Sequence, residues 1–234
     1  MSSPPPLPTP ASATPLELDA AALRDAVAAL DLRSVECAMG DFSALARGKV
    51  VSARDFVAAG GCRLPSVLLG MTTTGGSPAE LFGTLLPADY KDMALLPDLA
   101  TLARRPARGR EAAVICEPSG SWAAPRYGRE LGAHELSPRA ALRRVLDACA
   151  AQGLQATVAP ELEMFLLRSD DPGSGIALSA PPPRPGAPTR EQACEQYSLE
   201  RTTHFEAFFD ELYAAAAAYA IPLAGHLHEA ALSQ

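Results

Sequence analysis

The apolar positions of this chain switch between helical and strand periods, and the switches mark out its elements. Leu16, Leu23, Val27 and Leu30 recur near helical spacing and predict a first helix over about residues 15–30. Residues 34–39 read as a strand, Gly40-Asp41-Phe42-Ser43 as a turn, and Arg47-Gly48-Lys49 opens a second strand at Val50-Val51, which makes a hairpin. Residues 52–59 predict a short helix stopped by Gly60-Gly61. Further on, Asp92 and Asp98 bracket a short apolar segment, and residues 112–117 are a strand. Ser137-Pro138-Arg139 is a helix start, serine at the N-cap and proline at the first helical position. Leu142, Val145, Leu146 and Cys149 form the apolar stripe of that helix, and Gly153 stands where its C-terminal cap belongs. A strand is predicted over residues 156–167, a Pro- and Gly-rich loop over 169–189, and a helix over 203–220 with Phe205, Phe208, Phe209, Leu212 and Ala216 on its core side. Pro222 ends that helix, and another strand starts at Leu223.

The predicted strand at 156–167 carries Glu161 and Glu163 two residues apart, so both share a face with Phe165 while Leu162, Met164 and Leu166 take the other. Adjacent carboxylates in a core repel and are costly to bury unpaired. Two readings follow: an exposed edge strand, or a site where a hard divalent cation such as Mg²⁺ or Mn²⁺ offsets the cost.

Composition changes this picture only by exclusion. A net charge of −7, with no basic run, argues against nucleic acid as the main partner. Five dispersed cysteines without metal-type spacing read as reduced, buried thiols. No apolar run approaches a membrane span and no signal-peptide pattern opens the chain, so the expected location is cytoplasmic. Residues 1–15 hold six prolines and are expected to be a disordered tail. His226 and His228 form an H-x-H pair without a Cys or Asp partner and read as a packed strand rather than a zinc site. Asp92 and Asp98 read as turn and cap residues, Thr72–Thr74 as a mobile loop, and the arginines at 104, 105, 108 and 110 as a solvated face.

In chain order, Asp41 with Arg47-Gly48-Lys49, residues 92–101, Cys116-Glu117, Ser137-Pro138-Arg139, residues 160–166, and His228-Glu229-Ala230 with Gln234 resemble the glutamine synthetase superfamily. The ordered set spans about residue 30 to the last residue. The resemblance implies an α+β fold, with a β-grasp N-terminal domain at residues 16–120 and the first part of a glutamine-synthetase-type catalytic α/β domain at 121–234. It implies Glu163 and Glu229 as ligands of one divalent metal, Glu161 as a ligand of a second, nucleotide-side metal, and Tyr197 as a lining residue of the acceptor-amine pocket. The implied ligase joins glutamate to an amine through a γ-glutamyl phosphate, with ATP as co-substrate and a homo-oligomeric ring as the assembly. It would serve nitrogen or polyamine metabolism.

Two departures qualify the resemblance. Bacterial glutamine synthetases hold ammonium with an aspartate after the first domain's central strand, but residues 56–88 contain none, and Gly70-Met71-Thr72-Thr73-Thr74-Gly75 stands there instead. That favours an amine larger than ammonia, as in γ-glutamylpolyamine and γ-glutamylamine synthetases. The family's next metal ligand is expected just beyond Gln234, so the chain reads as an N-terminal portion, inactive alone. The other reading is a non-catalytic glutamine-synthetase-like protein that regulates or binds partners.

Overall fold

The computed structural model describes residues 18–87, 89–106, 108–166, 196–231 and 234. The expected tail at 1–15 and the loop at 169–189 lie outside them. The chain divides into two compact units, Met1–Ala156 and Thr157–Gln234.

In the first unit α1 (Ala20–Ala29) starts where the Asp19 carboxylate accepts the Ala21 and Ala22 amides. A hairpin of β1 (Ser34–Gly40) and β2 (Ala46–Ser52) follows as the sequence predicts. Ser52 then caps α2 (Ala53–Ala59), whose end is the left-handed Gly60. The remaining elements are β3 (Cys62–Pro65), α3 (Ala79–Phe82), β4 (Asp92–Pro97), β5 (Ala103–Arg104), β6 (Glu111–Ser119), β7 (Ser121–Ala124), β8 (Arg129–Gly132) and α4 (Pro138–Ala151). The main sheet runs β2-β1-β6-β4-β3, with β5 beside β6, while β7 and β8 form a separate ribbon. The unit is mixed α/β, with β1 parallel to β6 at the centre.

Strand β6 pairs with β1 through Ile115 and with β4 from Cys116 onward, so it changes neighbour in mid-strand. Its alternation breaks at that point: Cys116, Glu117 and Pro118 are buried in succession. The core gathers around this bend and includes Val35, Cys37, Met39, Phe56, Cys62, Met93, Leu95, Val114 and Cys116.

Gly61 links α2 to β3 at φ 128°, where a Cβ would lie 2.1 Å from the Leu95 carbonyl oxygen. Neither the dihedral nor the backbone clash can be relieved by a side-chain shift. Gly61→Ala should therefore cost about 2–3 kcal/mol, read as a lower urea midpoint with an unchanged slope.

Helix α4 begins at Ser137 and Pro138 as expected, and Gly153 follows it at φ 73°. Its apolar stripe, however, stands largely in solvent: Leu142, Val145 and Leu146 are all exposed.

The second unit departs further from expectation. The helix predicted at 203–220 is two helices, α5 (Leu199–His204) and α6 (Glu206–Ala218), broken at Phe205. Of the predicted core side only Ala216 is buried. Residues 156–166 are not a strand, and neither is the stretch from Leu223. A strand exists only where a neighbour supplies amides and carbonyls, and among the described residues neither segment has a ladder partner.

Candidate functional site

The motif residues that look unrelated in sequence are joined through charge. Asp98 follows β4, Glu117 lies near the end of β6, and Ser137, Arg139 and Arg143 sit on the first turns of α4. Arg139 donates from Nη1 to Glu117 Oε1 at 2.6 Å and from Nη2 to Asp98 Oδ2 at 2.7 Å. Arg143 adds a bond to the same Asp98 oxygen at 2.6 Å. Ser137 Oγ accepts the Ala140 amide and donates to Glu117 Oε2 at 3.1 Å, so one hydroxyl caps the helix and holds the acid. Burial alone would raise the Asp98 carboxyl, but the Arg139 guanidinium outweighs it and holds Asp98 below the ordinary carboxylate range. Burial likewise disfavours the Arg139 cation, and its bonds to Asp98 and Glu117 reverse that effect and push its pKa up. Both carboxylates face arginine, so the cluster fastens α4 to the sheet. Asp98 is the cap residue that the sequence indicates, accepting the Ala100 amide, and it carries two ion pairs besides. Arginines one turn apart on a helix, with buried acids at strand ends, are the signal for this network.

A second cluster organises the loop after β3. The buried Asp41 accepts the amides of Ser43 and Leu45 and pairs with Arg47 Nε at 2.7 Å. Burial would raise the Asp41 carboxyl, but these bonds, Arg47's first, keep it low. Arg47 Nη2 donates to the Thr72 carbonyl at 2.9 Å, and Ser43 Oγ donates to that of Met71 at 3.1 Å. The Thr72 and Gly76 backbones also bond to each other, with Gly76 N–H on Thr72 Oγ1. The stretch read as mobile is thus closed on itself and tied to the hairpin. Arginines 104, 105 and 110 are likewise engaged: Arg105 pairs with Glu36, Arg110 with Asp31, and Arg104 donates to the Gly109 carbonyl.

The acidic residues singled out in the sequence lie in the second unit. Glu163 and Glu229 meet through Gln234, whose Nε2 donates to Glu163 Oε2 at 2.8 Å and whose carbonyl accepts the Glu229 amide at 3.1 Å. The Glu229 carboxylate also accepts from Gln196 Nε2 and the Ala230 amide. Tyr197, at φ 59°, donates its amide to the His228 carbonyl at 2.9 Å, which places it beside Glu229 in the chain. His228 Nδ1 lies 2.7 Å from the Glu229 carbonyl, an acceptor only, so Nδ1 carries the proton. Glu161 stands in solvent and joins none of these contacts. His226 stacks on Phe209 and bonds to the Tyr213 hydroxyl.

These carboxylates are hard oxygen donors that no Lys or Arg neutralises among the described residues, which fits Mg²⁺ or Mn²⁺ in kind. Among the described residues, no three His, Cys, Asp or Glu side chains gather closely enough to form a metal site. No helix among them is long and apolar enough to cross a membrane.

The family described as "Glutamine synthetase, catalytic domain" matches residues 135–234. A glutamate–isopropylamine ligase from a Pseudomonas species is 28% identical over 148 residues, 62% of this chain and 30% of that protein. Among solved structures, apo GmaS without ligand has a TM-score of 0.56 at 18% identity, covering 93% of this chain and 44% of that one. A GmaS–ADP complex has a TM-score of 0.52 at 18% identity, covering 86% and 39%. A glutamine synthase homolog has a TM-score of 0.52 at 15% identity, covering 86% and 42%. The chain therefore spans less than half the length of each, and the structural likeness establishes a glutamine-synthetase-type fold. The resemblance to the glutamine synthetase superfamily is thereby shown, with residues 135–234 matching the family's catalytic domain.

Proposed function

We propose that this chain belongs to an ATP-dependent glutamate–amine ligase whose acceptor is larger than ammonia. Support comes from the catalytic-domain match and from the ligase relative whose name carries an alkylamine. The observation that carries the reading is the meeting of Glu163 and Glu229 on Gln234, because these two are the residues expected to share one cation. In this reading Glu163 and Glu229 hold one Mg²⁺ or Mn²⁺, Glu161 contributes to a second, and Tyr197 lines the amine pocket. Gln234 now occupies a Glu163 oxygen with a neutral amide, so it yields that position when a cation binds. Bound divalent metal supplies charge neutralisation for phosphoryl transfer from ATP to the glutamate side chain. The residues of the chain itself present oxygens, join the two segments through Gln234, whose side chain holds Glu163 and whose backbone carbonyl holds the Glu229 amide, and keep His228 in one tautomer. The Thr72 loop, with hydroxyls where ammonium-using relatives carry an acid, favours a bulkier amine. Residues 16–120 form the β-grasp domain, a reading supported by the central parallel β1–β6 pair, and residues 121–234 open the catalytic domain of a homo-oligomeric ring.

A second reading is a non-catalytic member of the superfamily that regulates or binds partners. One experiment separates them. Mn²⁺ titration followed by electron paramagnetic resonance should show binding that weakens about tenfold or more in Glu163→Gln, in line with losing one charged ligand. In a protein of the ligase relatives' length that contains this chain, ADP release with glutamate should run faster with isopropylamine or putrescine than with ammonia. Unchanged Mn²⁺ affinity in the variant removes the site, preference for ammonia removes the amine class, and no ADP release by that longer protein with any amine selects the second reading.

A further inference from the structure

Residues 71–76 are held together from within and aimed from without. Thr72 N–H donates to the Gly76 carbonyl at 2.7 Å, and Gly75 N–H donates to the Thr72 carbonyl at 3.1 Å. Thr72 Oγ1 accepts the Gly76 amide and bonds to Thr74 Oγ1 at 3.2 Å, so both hydroxyls are spent inside the loop. Thr73 between them is exposed, and among the described residues its hydroxyl has no partner. Among the described residues only two hydrogen bonds reach this loop from elsewhere: Ser43 Oγ on the Met71 carbonyl and Arg47 Nη2 on that of Thr72. Both donors belong to the β1–β2 hairpin. Arg47 cannot drift, because its backbone stands opposite Met39 in the ladder and its Nε is fixed on the fully buried Asp41 side chain.

Resting on the ligase reading above, in which this loop meets the acceptor, we propose that Arg47 is a positioning residue for the choice of amine. Through the Thr72 carbonyl it aims the loop so that Thr73 faces the amine. A threonine offers an acceptor oxygen beside a methyl group. An alkylamine uses both, donating N–H to the hydroxyl and laying its carbon chain on the methyl, whereas ammonia uses only the oxygen. Aim therefore matters more for the alkylamine. A loop closed on itself moves as one piece, so a tether at Thr72 sets the direction of Thr73. The planar fork of arginine makes the tether possible: Nε serves the buried acid while Nη2 serves the loop. In Arg47→Lys the ammonium still neutralises Asp41, but a single nitrogen cannot hold an acceptor on each side. That variant releases the loop without unpairing the acid.

The test has two measurements. Amide hydrogen exchange on the chain itself should show the Thr72, Gly75 and Gly76 amides of Arg47→Lys exchanging about tenfold faster, as expected for one lost hydrogen bond, while the amides of β1 and β6 keep their protection. In a protein of the ligase relatives' length that contains this chain, Arg47→Lys should raise KM for isopropylamine roughly three- to tenfold, with kcat at saturating amine within about twofold. The preference for isopropylamine over ammonia should fall by the same factor. A role confined to folding would depress turnover with every amine alike and leave that preference unmoved. Should Arg47→Lys fail to fold, Ser43→Ala takes its place with the same expected directions, since it frees the Met71 carbonyl without changing charge. Unchanged exchange at the loop amides, or a loosened loop with an unaltered amine preference in an active ligase, overturns the proposal. No ADP release by the longer wild-type protein with any amine removes the ligase reading instead, and the proposal with it.

Discussion

Replacing Arg139 with alanine should lower the stability of the first unit by about 3–5 kcal/mol at neutral pH, the usual cost of stripping one partner from a buried ion pair. Arg139 is the only residue of α4 bonded within 3 Å to both Asp98 and Glu117. Their side chains are 13% and 9% exposed, so water cannot replace it. Arg143 remains on Asp98, but its approach to Glu117 is 3.6 Å, too long to compensate. Arg139→Lys should recover only part of the loss, because a point charge cannot serve two acids as a planar fork does. The deficit should also depend on pH. Asp98 has a folded pKa below its ordinary value, so its contribution is fully present above the unfolded pKa of 3.8 and is lost as pH falls through the folded value. The gap between wild type and Arg139→Ala in urea midpoint should therefore be flat from pH 5 to pH 8 and narrow below about pH 4. A gap that persists undiminished at acid pH would assign the loss to packing of the arginine stem instead.

Phe56→Ala should cost a similar amount, about 3–5 kcal/mol, through a different mechanism. Phe56 is fully buried on α2, which packs against α1 and over β1, β2 and β3. Truncation leaves a cavity that rigid sheet backbone on one side cannot collapse to fill. Phe56→Leu keeps most of the volume and should cost under about 1.5 kcal/mol. The loss should not vary between pH 4 and pH 8, because no titrating group is involved. That contrast with Arg139→Ala separates hydrophobic from ionic support in one set of unfolding curves.

The first unit was legible in the sequence because its signals are local. Ser52 with Gly60-Gly61, and Ser137 with Pro138, fix helix ends within a few residues of chain, and β1 of the hairpin alternates cleanly. The second unit was misread wherever an element depends on a distant neighbour. Residues 156–166 have the composition of a strand, yet pairing is a property of two segments, and composition reports only one. Phe205 carries a helix-period pattern and still sits at a break, because its backbone bonds serve the end of α5. The candidate site was half legible. Glu163 and Glu229 stand out as residue types and the resemblance implies their pairing, but Gln234 as the joint, and the Asp98–Glu117–Arg139 clasp, depend on contacts between segments far apart in the chain.

The mid-strand exchange of partners by β6 constrains how this protein can change. A single-residue deletion near Ile115 would slide both half-ladders out of phase at once, turning side chains meant for the interior toward water on two fronts. Length variation among descendants of this gene should accordingly accumulate in the connection between β5 and β6, and the span from Val114 to Glu117 should keep a fixed number of residues.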